Sequence, residues 1–147
     1  MNKYNNYALI TGAGGLLGKY HAEALMEIGI KIILTDINLK SLTNLKKDLN
    51  KNFKKNSILI KKLDVTSEKS IKDLIKKLNK DKIKIKFIIN NAAIDFKFKK
   101  KKDFLPLGRL ENYDIKQWNN EIKVGLTGPM LMAKHFGKSM LKNKIIL

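Results

Sequence analysis

The chain has 147 residues, enough for one domain with a buried core, and its lack of cysteine excludes a disulfide framework, thiolate chemistry and a cysteine metal site. Two histidines, His21 and His135, argue against a histidine metal centre, and no apolar run reaches the ~18 residues that a spanning helix needs. The net charge of +18 rests on 30 lysines and one arginine, Arg109, and nucleic-acid surfaces lean on arginine, so solvated helix faces and AT-rich codon usage explain the excess better.

The N-terminus is polar and runs directly into an apolar segment, without the pattern of a secretory leader, so a cytoplasmic protein is the expectation. Residues 7–11 predict a first strand that ends in a glycine cluster. Residues 16–28 predict a helix with Leu17, Leu25 and Ile28 among small Ala22 and Ala24, stopped by Gly29. Residues 30–35 predict a second strand closing at Asp36, and Leu39, Leu42, Leu45 and Leu49 mark a second helix face. A third strand at 57–63 precedes a helix at 67–78 with the stripe Ile71, Leu74, Ile75 and Leu78. A fourth strand follows at 86–90.

A long connection over 92–113 contains the lysine run 99–102. Asp114 then predicts an N-cap, with Gln117 at the capping-box position. The helix it starts carries Trp118, Ile122, Leu126, Met130, Ala133 and Phe136 as core or interface residues, kinked at Pro129. Residues 144–147 read as the start of a fifth strand. Alternating strands and helices predict an α/β fold, a Rossmann-type doubly wound parallel sheet in one domain over 1–147, cut within that fifth strand.

Thr11-Gly12-Ala13-Gly14-Gly15-Leu16-Leu17-Gly18 lies between the first strand and the first helix. A glycine turn there lets the backbone approach a pyrophosphate, while the helix start offers free N–H groups and the positive end of its dipole. Gly12 is read as permitting the tight turn, Gly15 as leaving room for phosphates, and Gly18 as letting the helix pack close to the strand. The G-x-G-x-x-G spacing is not met, because Leu17 stands where its last glycine belongs. Asp36, 24 residues after Gly12, can accept hydrogen bonds from both ribose hydroxyls of NAD and repel the 2′-phosphate of NADP.

These features in this order resemble the short-chain dehydrogenase/reductase family over essentially the whole chain. The turn has the spacing of the family's extended branch, and Leu16 departs from its main branch. Asp64-Val65 resembles the pair whose acid meets the adenine amino group, and Asn90-Asn91-Ala92-Ala93 resembles the family's N-N-A-G, with Ala93 for glycine. The resemblance implies a cofactor-binding set of Thr11, Gly12, Gly15, Leu16, Leu17, Gly18, Asp36, Asp64, Val65, Asn91, Ala92 and Ala93, with NAD preferred over NADP. Val124-Gly125-Leu126-Thr127-Gly128 is similar to the family's V-N-L-x-G, and its catalytic Asn would fall on Gly125. Arg109-Leu110-Glu111-Asn112 with Trp118 most resembles members that modify sugars, such as those of flagellin-glycan and nonulosonic-acid pathways.

The family's catalytic Ser and its Tyr-x-x-x-Lys lie beyond the fifth strand, so no catalytic residue is assigned here. None of Tyr4, Tyr7, Tyr20 and Tyr113 has a lysine four residues later. The expected function is an NAD(H)-dependent oxidoreductase acting on a secondary alcohol or ketone, with a small-molecule partner of sugar type and homo-oligomers in the full-length family context. The alternative is a non-catalytic dinucleotide-binding fragment, with catalysis supplied by a partner or lost. A third reading, a basic nucleic-acid binder, rests on the interleaved aromatics and lysines of 96–102.

Overall fold

The computed structural model describes residues 6–94 and 109–142. The lysine run at 99–102 and the fifth strand expected at 144–147 lie outside these residues. Strands β1 (Asn6–Ile10), β2 (Lys31–Asp36), β3 (Ile58–Lys62) and β4 (Lys84–Ile89) form a parallel sheet in the order β3-β2-β1-β4. Such a sheet is covered on both faces, so its strands read as continuous apolar runs rather than alternating ones. On one face Tyr7, Leu9 and Ile33 pack with α3 (Glu68–Lys80) and α5 (Gly128–Lys142). On the other, Ala8, Ile10, Ile32 and Leu34 pack with α1 (Gly18–Glu27) and α2 (Leu39–Leu49). Each fully buried Leu or Ile in these layers is worth about 1.5–3 kcal/mol relative to exposure.

Local chemistry fixes most helix starts. Asn38 accepts the N–H groups of Lys40 and Ser41, Ser67 accepts that of Ser70, and Asp114 accepts that of Lys116 to begin α4 (Ile115–Ile122). Gln117 does not close a capping box. Its Nε2 turns instead to Glu121 Oε1 at 2.8 Å and the Tyr113 hydroxyl at 3.3 Å. Helix α1 begins at Gly18 rather than residue 16, and its buried face is Gly18, Ala22 and Met26, with Leu17 and Ile28 exposed. Small residues on that face bring α1 close to the sheet.

The single helix expected after Asp114 is two α-helices joined by a π turn at Lys123–Thr127, where the Gly128 N–H bonds the Lys123 carbonyl. The turn ends just before Pro129, which has no N–H to continue the ladder. One extra residue in the turn rotates everything after it by roughly 100°. The buried face of α5 is therefore Met132, Phe136 and Met140, and of the expected stripe only Phe136 reaches the core. Trp118, Ile122, Leu126 and Met130 stay 37–64% exposed.

Candidate functional site

The ends of β1, β2, β3 and β4 converge where the glycine turn sits. Thr11 is buried at the end of β1 and donates from its N–H to the Ile89 carbonyl at 3.0 Å, while its Oγ1 accepts the N–H groups of Asn91 and Ala92 at 3.0 and 3.1 Å. Asn91 Nδ2 donates to the carbonyls of Thr11 and Gly12 at 3.1 and 3.0 Å. The first and fourth strands are thus tied together at the turn by side chains from both motifs.

Gly12 has φ +59°, and a Cβ there would lie 2.6 Å from the Ala92 Cα. Its lack of a side chain is required by backbone conformation and by the Asn91-Ala92 segment alike. Gly15 is exposed, and a Cβ on it would meet nothing closer than the Gly12 carbonyl at 3.2 Å. A side chain there would press on that carbonyl, which would have to give by a few tenths of an ångström. Gly18 acts differently from expectation. A Cβ there would overlap the Ala13 carbonyl, so this glycine packs the helix start onto its own turn rather than onto the strand.

Helix α1 has no side-chain cap at Leu17 and no acidic residue in its first turn, whereas α2, α3 and α4 are all capped. Its first N–H groups, at the positive end of the helix dipole, receive no side-chain cap. Leu16 and Leu17, in the turn just before α1, are 85% and 56% exposed.

Asp36 Oδ2 accepts the Gly14 N–H at 3.0 Å and Oδ1 accepts the Asn38 N–H at 2.9 Å. The carboxylate stays partly exposed, and each oxygen keeps a lone pair for a further donor. Sequence reasoning passed over Gly14. A Cβ on it would lie 2.7 Å from the Ser41 Cβ and 3.1 Å from Asp36 Oδ2, so only glycine fits between the turn and α2. The adjacent glycines at 14 and 15 were the available signal. Asp64 Oδ1 is engaged by the N–H and hydroxyl of Thr66, at 2.9 and 2.7 Å. Val65 is buried and packs against Gly128, where a Cβ would sit 2.9 Å from its Cγ2. Ala93, exposed, continues from the Asn91-Ala92 tie.

Away from this cluster, Trp118 is half exposed and meets Tyr113 edge-to-face at 6.5 Å instead of packing in the core. Gly125 lies exposed in the π turn with open space around it. Among the described residues, no group of three His, Cys, Asp or Glu could hold a metal ion, and no helix is long and apolar enough to cross a membrane.

Residues 6–145 match the family model described as short chain dehydrogenase. The chain is 35% identical over 137 residues to the 3-oxoacyl-(acyl-carrier-protein) reductase FabG of Buchnera aphidicola, covering 93% of this chain and 50% of that protein. It is 31% identical over 133 residues to the short chain dehydrogenase/reductase dpfgG of Gibberella zeae, covering 90% of this chain and 45% of that one. A solved gluconate 5-dehydrogenase from Burkholderia cenocepacia, in complex with NADP and tartrate, superposes with a TM-score of 0.76 at 22% identity, over 95% of this chain and 50% of its own. The chain thus spans about half the length of these relatives.

Proposed function

This chain belongs to the short-chain dehydrogenase family, and from that premise we propose that it binds NAD(H) at the β1–α1 turn, as the cofactor-binding part of an oxidoreductase for a secondary alcohol or ketone. The observation that carries the reading is the uncapped start of α1 behind a glycine turn, with the Asp36 carboxylate at the end of the neighbouring strand bonded to that turn. In this proposal the N–H groups of the turn and of the first turn of α1 hold the pyrophosphate, with Gly12 and Gly15 admitting it and Leu16 and Leu17 flanking it. Asp36 receives the ribose hydroxyls and disfavours a 2′-phosphate. Asp64 and Val65 border the adenine, and Asn91, Ala92 and Ala93 form the wall toward β4. Nicotinamide dinucleotide, when bound, supplies or accepts the hydride.

The family's Ser and Tyr-x-x-x-Lys have no counterpart within residues 1–147, so turnover requires groups from outside them. For the whole protein we propose a sugar or sugar-derivative substrate, on the strength of the Arg109–Asn112 segment with Trp118 and Gly125, and a cytoplasmic location. A homo-oligomer fits the exposed apolar stripe of Ile115, Trp118, Ile122, Leu126 and Met130 along α4, the π turn and α5. NADH fluorescence titration of the chain and of its Gly15→Val variant tests the binding reading. Saturable binding lost in the variant supports it, and equal binding by both contradicts it.

A further inference from the structure

Glu68 opens α3, and three donors from the described residues converge on its carboxylate. His135 Nε2 and Lys134 Nζ, both on α5, reach Oε1 at 2.8 and 3.2 Å, and Lys72 Nζ, one turn along α3, reaches Oε2 at 3.1 Å. An ionised carboxylate only accepts, so Nε2 of His135 carries the hydrogen of that bond. The His135 side chain is 14% exposed and makes the bond within the seam between the two helices.

Glu68 stands four residues after Asp64, and the residues between them form one knot. Asp64 Oδ1 accepts the N–H and hydroxyl of Thr66, the Asp64 N–H donates to Ser70 Oγ, and Ser67 caps α3. Both Thr66 bonds go to Oδ1, so Oδ2 is the oxygen with lone pairs for an outside donor. The Leu63 N–H donates to the Asp36 carbonyl at 3.0 Å, which sets the knot beside Asp36.

Helix α5 rides on this knot over two turns. Gly128, Met132 and His135 are spaced by four and three residues, which places them on one face. Gly128 meets Val65, Met132 lies in the buried cluster with Val65 and Ile71, and His135 takes Glu68. Gly128 admits Val65 without a side chain to interlock with it, so apolar contact alone leaves α5 free to slide along the seam. The directional bonds to Glu68 fix its place.

We propose that Glu68 is a positioning residue of the nucleotide site: by tying α3 to α5, it holds the Asp64–Val65 segment where the Asp64 carboxylate accepts the adenine amino group. The proposal rests on the reading of that segment as the adenine border. Glu68 touches no cofactor and acts through Asp64.

The test compares NAD with its hypoxanthine analogue, which carries an oxygen in place of that amino group, by calorimetric titration of the full chain. A hydrogen bond from the amino group to a carboxylate is worth at least ~10-fold, so the wild-type chain should prefer NAD by that factor. Glu68→Ala should cut the preference to about 2-fold or less, by weakening NAD with the analogue little changed. A general loss of structure would weaken both ligands alike. His135→Ala should lower the preference part of the way, and His135→Gln, whose amide N–H still reaches for Oε1, should restore it. If Glu68→Ala melts below the working temperature, the His135 pair decides alone. A preference that survives Glu68→Ala in a folded chain, or that is the same in both His135 variants, overturns the proposal and leaves the adenine border standing. Wild-type binding of both dinucleotides without preference removes the adenine border and the proposal together, and binding of neither contradicts the nucleotide site itself.

Discussion

Asp36 holds Gly14 by a hydrogen bond from the Gly14 N–H to Oδ2, 3.0 Å long, across 22 residues of sequence. The carboxylate proposed to choose the cofactor also fixes the turn proposed to carry its phosphates. Asp36→Ala therefore removes two structural acceptors as well as the ribose contact. We expect NAD affinity to fall by about 1.5–3 kcal/mol, the worth of charged hydrogen bonds, in calorimetric titration. Asp36→Asn should recover part of the fold stability but little of the discrimination against NADP, because the negative charge is gone.

Two glycines in one turn should separate binding from folding. Gly12→Val forces a left-handed residue and a clash with Ala92, so it should lower the melting temperature and abolish dinucleotide binding together. Gly15→Val needs no left-handed backbone, and its Cβ meets the Gly12 carbonyl at 3.2 Å, a contact that a small shift of the turn relieves. It should keep a near-native melting temperature and circular dichroism spectrum and still lose binding, since the added side chain occupies the phosphate approach. Native binding by the folded Gly15→Val chain would make the turn structural only.

Acid should loosen the contact between α3 and α5. Glu68, at the start of α3, is held at a pKa of about 2, first by the hydrogen bond with His135 Nε2 at 2.8 Å, then by Lys72 and Lys134. Its ordinary value is 4.5. A carboxylate depressed in the folded state stabilises that state above the unfolded pKa, and the gain is lost as pH falls from about 4.5 to about 2. Urea midpoints measured across that window should drop more steeply for wild type than for Glu68→Gln. Parallel curves would mean the cluster is energetically silent.

Self-association should follow the exposed stripe on α4 and α5. Ile115 is 69% exposed, Leu126 64% and Met130 53%, large apolar side chains in solvent on a chain of net charge +18. Salt screens the repulsion between copies. Sedimentation should therefore show association rising with ionic strength, and Ile122→Glu should suppress it. A monomer at both low and high salt would contradict this reading.

The sheet was legible because buried parallel strands and amphipathic helices leave strong patterns, as in residues 30–36 and the leucines at 39, 42, 45 and 49. Thr11, Gly12, Asp36 and Asn91 converge in space because strand, turn and acid recur in a fixed order. Two things were hidden. The π turn before Pro129 rotates the following helix, which hydrophobic spacing alone does not reveal, so of the residues read as core or interface there, Met130 stays exposed and Met132 and Met140 fill the core. Gly14 and Gly18 act through steric contacts with Ser41, Asp36 and Ala13, and only the folded backbone brings those groups together.

The central claim is that this turn binds a nicotinamide dinucleotide and that Asp36 selects NAD. Calorimetric titration of the chain with NAD and with NADP, under identical salt, tests it most directly. The account predicts saturable NAD binding at one site, with NADP weaker by at least ~10-fold because its 2′-phosphate meets the Asp36 carboxylate. Tighter binding of NADP, or no binding of either, would contradict it.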